Sequence, residues 1–210
     1  METPVPGISR CEENKITLAK TVAVPSDAIQ GNDPQYGNQA HLQAGQQISL
    51  SDAAKIALSE SDNTAAYTIF NATQNLLPSA DQSLNNLDIQ TQAGNSSAGN
   101  FVYITSRSYS SILKCLYYSC FLNYHDSQTI LSDLSANSTD NSRIRAGVPG
   151  NVVVARKVGS FSDITQSDCG VVYVMNKNYL LCIMMDENGP AADKDIKTLS
   201  QMVYNYISKL

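Results

Sequence analysis

The chain has 210 residues, 42% of them hydrophobic and 16% charged, with a formal net charge of −5 and a pI near 4.9. That length suits one globular domain, or two closely packed lobes, with a real core. The acidic balance and scattered Lys and Arg exclude a basic nucleic-acid footprint and a patch for anionic membranes; no apolar run reaches the roughly 18 residues of a membrane span, and Met1 to Gly7 lack the basic start and apolar stretch of a signal peptide.

Residues 1–14 open with two prolines and a glycine and read as irregular. Ile16 to Val24 alternate weakly, and a polar loop follows from about Ser26 to Gln47, long enough to line a functional cleft. Ser49-Leu50-Ser51-Asp52 has the form of a capping box, and Ala53, Ile56 and Ala57 follow at helical spacing. The spacing predicts a helix ending near Ser59, a turn at Ser61 to Asn63, and a second helix from Thr64 to Gln74 with Ala65, Ala66, Ile69 and Phe70 facing inward. Residues 76–100 are rich in Asn, Gln, Ser and Gly and read as loop around one short turn. Helices are expected from Ser106 to Asn123 and from Ser127 to Leu134.

After Ser142 the character changes. Val152 to Ala155, Gly170 to Met175 and Tyr179 to Met185 are strand-like, with a hairpin turn at Asn176-Lys177-Asn178. A terminal amphipathic helix carries Ile196, Leu199, Met202, Val203, Tyr206 and Ile207 on one stripe. The order predicts an α+β fold: a single domain over 15–210, with a helical lobe over 48–140, a sheet lobe over 143–210, and the last helix lying on an antiparallel sheet.

The five cysteines are Cys11, Cys115, Cys120, Cys169 and Cys182, with no Cys-x-x-Cys spacing, and His41 and His125 are the two histidines. Cys115, Cys120 and Cys182 sit in apolar stretches, which predicts buried free thiols rather than a disulfide or a metal site. No metal and no cofactor is expected.

Two short motifs carry the chemistry. Ser61-Asp62-Asn63 lies at a helix junction, and Lys157-Val158-Gly159-Ser160 lies in a strand before a hairpin and the terminal helix. Either alone is weak: Ser61 and Asn63 could be plain N-caps, and Lys157 a solvated strand residue. Together and in this order, with Gln43-Ala44-Gly45-Gln46, Thr64-Ala65-Ala66 and Asp168-Cys169-Gly170-Val171-Val172-Tyr173, they make the chain resemble the class A β-lactamases and related penicillin-binding serine hydrolases. The likeness runs from about Ile8 to Leu210.

The resemblance implies a serine acyl-enzyme route on β-lactams or D-alanyl-type amides, small molecules or peptides. Ser61 would relay a proton to the leaving nitrogen, and Asn63 would hold the substrate's side-chain amide. Lys157 would supply positive potential for a carboxylate, Gly159 would let substrate approach the strand, and the Ser160 N–H would form half of an oxyanion hole. Asp62 would anchor the turn. These residues are expected to converge on one cleft between the helical lobe and the sheet edge.

The likeness also predicts what is missing. In this family a Ser-x-x-Lys nucleophile precedes the Ser-Asp-Asn serine by roughly sixty residues, which points to Met1 or before. Ile8 to Glu13 would be the last turn of that helix, and two strands of the sheet would be absent, an N-terminally truncated fold. Ser111-Ile112-Leu113-Lys114 is downstream and mid-helix, so it reads as a decoy. Val158 stands where the family has a hydroxyl, and Asp81 and Asp88 make no convincing deacylating acid. The alternative function is a non-catalytic binding or scaffold domain on the same fold; a cysteine hydrolase built on Cys169 is weaker still. An incomplete sheet predicts self-association, and an upstream signal or anchor segment would make the protein extracytoplasmic.

Overall fold

A capping box starts the first long helix. Ser49 Oγ accepts from the Asp52 backbone N–H at 3.0 Å and donates to the Asp52 carboxylate at 2.6 Å, so one serine satisfies a helix-end donor that would otherwise be orphaned. The computed structural model describes residues 17–30, 40–75, 89, 92–96, 99–136, 141–161 and 165–210. The expected irregular segment at 1–14, the helix turn at 8–13, and Asp81 and Asp88 lie outside them. The chain divides into two compact units, Met1–Asn86 and Leu87–Leu210.

In the first unit, β1 (Thr21–Ala23) pairs antiparallel with β2 (Gln47–Ser49), with Val22 opposite Ile48. The helices are α1 (Ser26–Gln30), α2 (Leu50–Ser59) and α3 (Asn63–Thr73). Val24, Leu42, Ile48, Ala53 and Ala65 form the core, with Ile56 and Ile69 packed against it. The expected inward face of α3 needs correction: Ala66 and Phe70 are exposed, while Thr64 and Thr68 are buried. Burial of these threonines is tolerable because their hydroxyls are satisfied locally. Thr68 Oγ1 donates to Thr64 O at 2.8 Å and Thr64 Oγ1 to Ala28 O at 3.4 Å.

In the second unit a hairpin joins β3 (Gln92–Ser96) to β4 (Gly99–Tyr103); β3 and the start of β4 correct the loop expected over 76–100. The hairpin is followed by α4 (Ser106–Tyr117), α5 (Tyr124–Ser135) and the short α6 (Arg143–Ala146). Helix α4 stops six residues before the expected Asn123, because Ser119 adopts a left-handed φ of 55° and turns the chain away.

Strands β5 (Val153–Phe161), β6 (Thr165–Tyr173) and β7 (Tyr179–Met185) form an antiparallel sheet in the order β5-β6-β7. Helix α4 packs against β6 and β7, and α5 against β5. The face carrying Val154 and Val172 packs with Ile144 and Val148 and with Ile196 of α7 (Pro190–Ile207). The fold is α+β, with the C-terminal helix against the antiparallel sheet as expected.

The α7 stripe is corrected. Ile196 is fully buried, but Leu199, Met202 and Tyr206 are 42%, 63% and 66% exposed. The inward face instead uses Ala192 and Ser200. A Cβ on Gly147 would come within 2.5 Å of Ser200 Cβ, and Ser200 Oγ donates to Ile144 O at 2.9 Å. Small residues allow this close approach of α6 and α7, and an apolar periodicity does not register them.

The cysteine expectation is also overturned. Cys169 and Cys182 form a disulfide. They sit directly opposite each other in the β6–β7 register, three residues in from the pair Val172–Tyr179. Cys115 is half-buried and Cys120 exposed, both free. With its sulfur in a disulfide, Cys169 is no nucleophile.

Candidate functional site

The first motif belongs to the first unit. The chain leaves α2 at Glu60, whose N–H still bonds Ile56 O at 3.0 Å, and reverses through Ser61 with a left-handed φ of 55°. A non-glycine residue held there costs roughly 1–3 kcal/mol and persists only where its surroundings enforce it. Asp62 does the enforcing. Fully buried, it accepts from Ala65 N at 2.8 Å as the N-cap of α3 and from Ala40 N at 2.9 Å through its other oxygen.

The plain-cap reading of Ser61 and Asn63 therefore fails, because Asp62 caps the helix. Asn63 is the first residue of α3 and is exposed, and Ser61 is half-buried one step before the cap. Both polar side chains are thus displayed by a turn that a third, buried residue holds rigid.

The second motif lies on β5, an outer strand of its sheet. Lys157 stands across from Cys169, Gly159 across from Ser167, and Ser160 across from Gln166. Lys157 is half-buried and its Nζ donates to Val158 O at 2.9 Å. Burial lowers its pKa, Arg143 and Arg156 lower it further, and Asp168 opposes them. The amine therefore gives up a proton more readily than a solvated lysine, the property a proton relay needs.

Arg143, missed by sequence reasoning, organises this strand end. It opens α6 with a φ of 48° and is largely buried. Its Nη2 donates to Ser160 Oγ at 2.8 Å, Nη1 to Gly159 O at 2.9 Å and to Ser167 O at 2.8 Å, and Nε to Asp193 Oδ1 at 2.7 Å. The signal available in sequence was weak: two arginines, Arg143 and Arg145, just ahead of the strand. Arg145 instead bonds the carbonyls of Pro149, Gly150 and Val152 and shapes the entry to β5.

Behind Lys157, on the opposite face of the sheet, lies a buried ion pair. Arg156 Nη1 donates to Asp168 Oδ2 at 2.6 Å, which also accepts from Ile144 N at 3.0 Å. Burial pushes the Asp168 carboxyl up to about 6 against the pull of Arg156, the Ile144 N–H and Arg143. Three cations (Arg143, Arg156 and Lys157) thus surround one carboxylate at the strand that bears the motif. Among the described residues no group of three or more His, Cys, Asp or Glu could hold a metal, and no helix is long and apolar enough to cross a membrane.

A left-handed serine-bearing turn between two helices is followed in the chain by a cation-lined outer strand under a C-terminal helix. The chain belongs to the beta-lactamase enzyme family, whose model matches residues 7–207. No curated protein sequence matches it. Among solved structures it is similar to PBP-A (TM-score 0.79, 22% identity, covering 97% of this chain and 77% of that one). It is also similar to a single-substitution variant of the extended-spectrum β-lactamase TLA-1 (0.76, 18%, 96% and 79%) and to a β-lactamase from Francisella tularensis (0.76, 16%, 97% and 81%). At these identities the likeness establishes the β-lactamase/transpeptidase fold.

Proposed function

We propose that this chain carries the substrate-recognition and proton-relay part of a serine acyl-transfer site for β-lactams or D-alanyl-type amides. The observation that supports this most is the cationic end of β5, where Arg143 reaches Ser160 and Gly159 beside a half-buried Lys157. A penicillin or a D-alanyl peptide presents a carboxylate, and a fixed guanidinium with an ammonium is matched to it. Arg143 offers the positive potential at a strand where Val158 supplies no hydroxyl. A PBP-A variant solved as an acyl-enzyme with penicillin G has this fold.

In this reading Lys157 binds the carboxylate and tunes the relay, and Ser61 passes the proton to the leaving nitrogen. Asn63 holds the side-chain amide, Gly159 admits the ligand to the strand, and the Ser160 N–H polarises the carbonyl. The outer edge of β5 can pair with a strand-like ligand. The nucleophile is the part not supplied: no Ser-x-x-Lys occurs between Met1 and Glu60. Val158, which supplies no hydroxyl beside Lys157, favours a second reading, a binding domain that keeps the recognition groups without turnover.

Ligand-observed NMR with benzylpenicillin and a D-Ala-D-Ala peptide tests recognition, which both readings share. Weak non-covalent binding is expected, and Lys157→Met should weaken it by about tenfold or more, the scale of one charge-assisted hydrogen bond. Equal binding by the variant, or none by the wild type, would remove the basis for the assignment.

We also propose that the isolated chain self-associates. Among the described residues strand β7 is an outer strand of half-buried Tyr179 to Met185, and α7 shows Leu199, Met202 and Tyr206 to solvent. Apolar edges and stripes of this kind take a partner, and for the isolated chain that partner is a second copy. Sedimentation velocity should show mass rising with concentration; a single monomeric species at high concentration would refute it.

A further inference from the structure

We propose that Cys115 and Cys120 form a solvent-facing dithiol that closes to a second disulfide by exchange with a small-molecule disulfide. Helix α4 ends in two bonds that fix its exit: Ser119 N–H donates to Leu116 O at 3.2 Å, and Cys120 N–H donates to Cys115 O at 2.8 Å, with Ser119 in the left-handed region at φ 55°. This is the Schellman closure of a helix. It sets the side chain three positions inside the helix end against the one just beyond it, a contact usually made by two apolar groups.

Here both of those groups are cysteines. Neither is in a disulfide, and the Cys120 thiol lies near enough to Cys115 to raise its pKa. The backbone therefore already holds the two positions close together, and little chain entropy is left to lose on closing a disulfide. The same unit holds one disulfide, Cys169–Cys182; disulfides persist under oxidising conditions, where a neighbouring thiol pair with one exposed member is open to oxidation.

The two sulfurs have different parts. Cys120 is exposed and meets the oxidant first. Its thiolate attacks one sulfur of the small disulfide, that S–S bond breaks, and one small thiolate leaves and takes up a proton. Cys115 is half-buried, and burial together with the neighbouring Cys120 thiol pushes its thiol up to about 11, so it acts second. On losing its proton it attacks Cys120 Sγ and expels the second small thiol. Two protein thiols are oxidised by two electrons, and one small disulfide is reduced to two thiols. Closure staples the end of α4, where the Tyr117 hydroxyl accepts from Asn178 Nδ2 at 3.0 Å in the β6–β7 turn.

The test uses the full chain equilibrated with glutathione disulfide, alkylated, and digested with trypsin without reduction. Lys114 and Arg143 bound one tryptic peptide that contains both cysteines, so closure reads as a peptide lighter by two hydrogens and carrying no alkyl group. The Cys169–Cys182 cross-linked peptides report in the same digest that the native fold survived. The closed peptide is expected as the dominant product, with a single glutathione adduct only in passing. Ser119→Gly, which favours the left-handed turn, should still close. Ser119→Val, which resists it, should shift the product to two stable adducts. Two stable adducts or two alkylated thiols in the wild type, a link from either thiol to Cys11, or closure by Ser119→Val as readily as wild type would overturn the proposal.

Discussion

Excess benzylpenicillin is expected to leave the intact mass of this chain unchanged. Acylation needs a serine with an activating lysine and free helix-end N–H groups for the oxyanion. Ser111, in the one Ser-x-x-Lys of the sequence, lies inside α4, where its hydroxyl donates to the Arg107 carbonyl at 3.3 Å and the surrounding N–H groups are spent on the helix. Ser61 is one residue before the α3 cap, and the proposed role for it is proton relay rather than attack. Loss of the nucleophile removes nearly all of the rate of such a unit, because the remaining groups act on a reaction already begun. A stoichiometric adduct on any serine, detected by intact-mass spectrometry, would show that an attacking residue exists within the chain.

Replacing Asp168 by alanine should cost about 3–5 kcal/mol of stability at neutral pH, enough to unfold many small domains. The carboxylate is fully buried and is shared by Arg156 and the Ile144 N–H. Its removal strands a buried guanidinium with Arg143 and Lys157 nearby. The pH dependence runs against the usual carboxylate pattern. With a folded value of about 6 against an ordinary 3.8, the folded state holds the proton more tightly. The contribution of this group is fully present below the ordinary value and is lost as pH rises through about 6. The margin of wild type over Asp168→Asn should therefore narrow between pH 4 and 7 in denaturant melts. A margin that widens over that range would contradict the assigned direction.

Local signals made some elements legible. The Ser49–Asp52 box, the break at Ser59 and the restart near Asn63 follow from capping chemistry confined to a few residues. The three strands and the terminal helix follow from composition and period. What stayed hidden depends on partners distant in sequence. In the β3–β4 hairpin, β3 reads Gln-Ala-Gly-Asn-Ser, with poor strand propensity, so the strand-forming Phe101 to Tyr103 of β4 had no evident partner in the sequence. The inward face of α7 is Ala192, Ile196 and Ser200 because Gly147 approaches there, so the flanking apolar stripe misled. Cys169 and Cys182 pair through register, which follows once the turn after Met175 is placed.

The candidate site divides in the same way. Ser61, Asn63, Lys157, Gly159 and Ser160 were readable as motifs, and Asp62 as an anchor. Arg143 was not, since its value lies in four hydrogen bonds made to residues 16 to 50 positions away.

The central claim is that Ser61 to Asn63 and Lys157 to Ser160 serve one β-lactam-type ligand. Backbone amide NMR during a benzylpenicillin titration tests it most directly. Both segments are predicted to shift together, with one common affinity, and both responses to fade in Lys157→Met. Shifts confined to one segment, or two unrelated affinities, would contradict it.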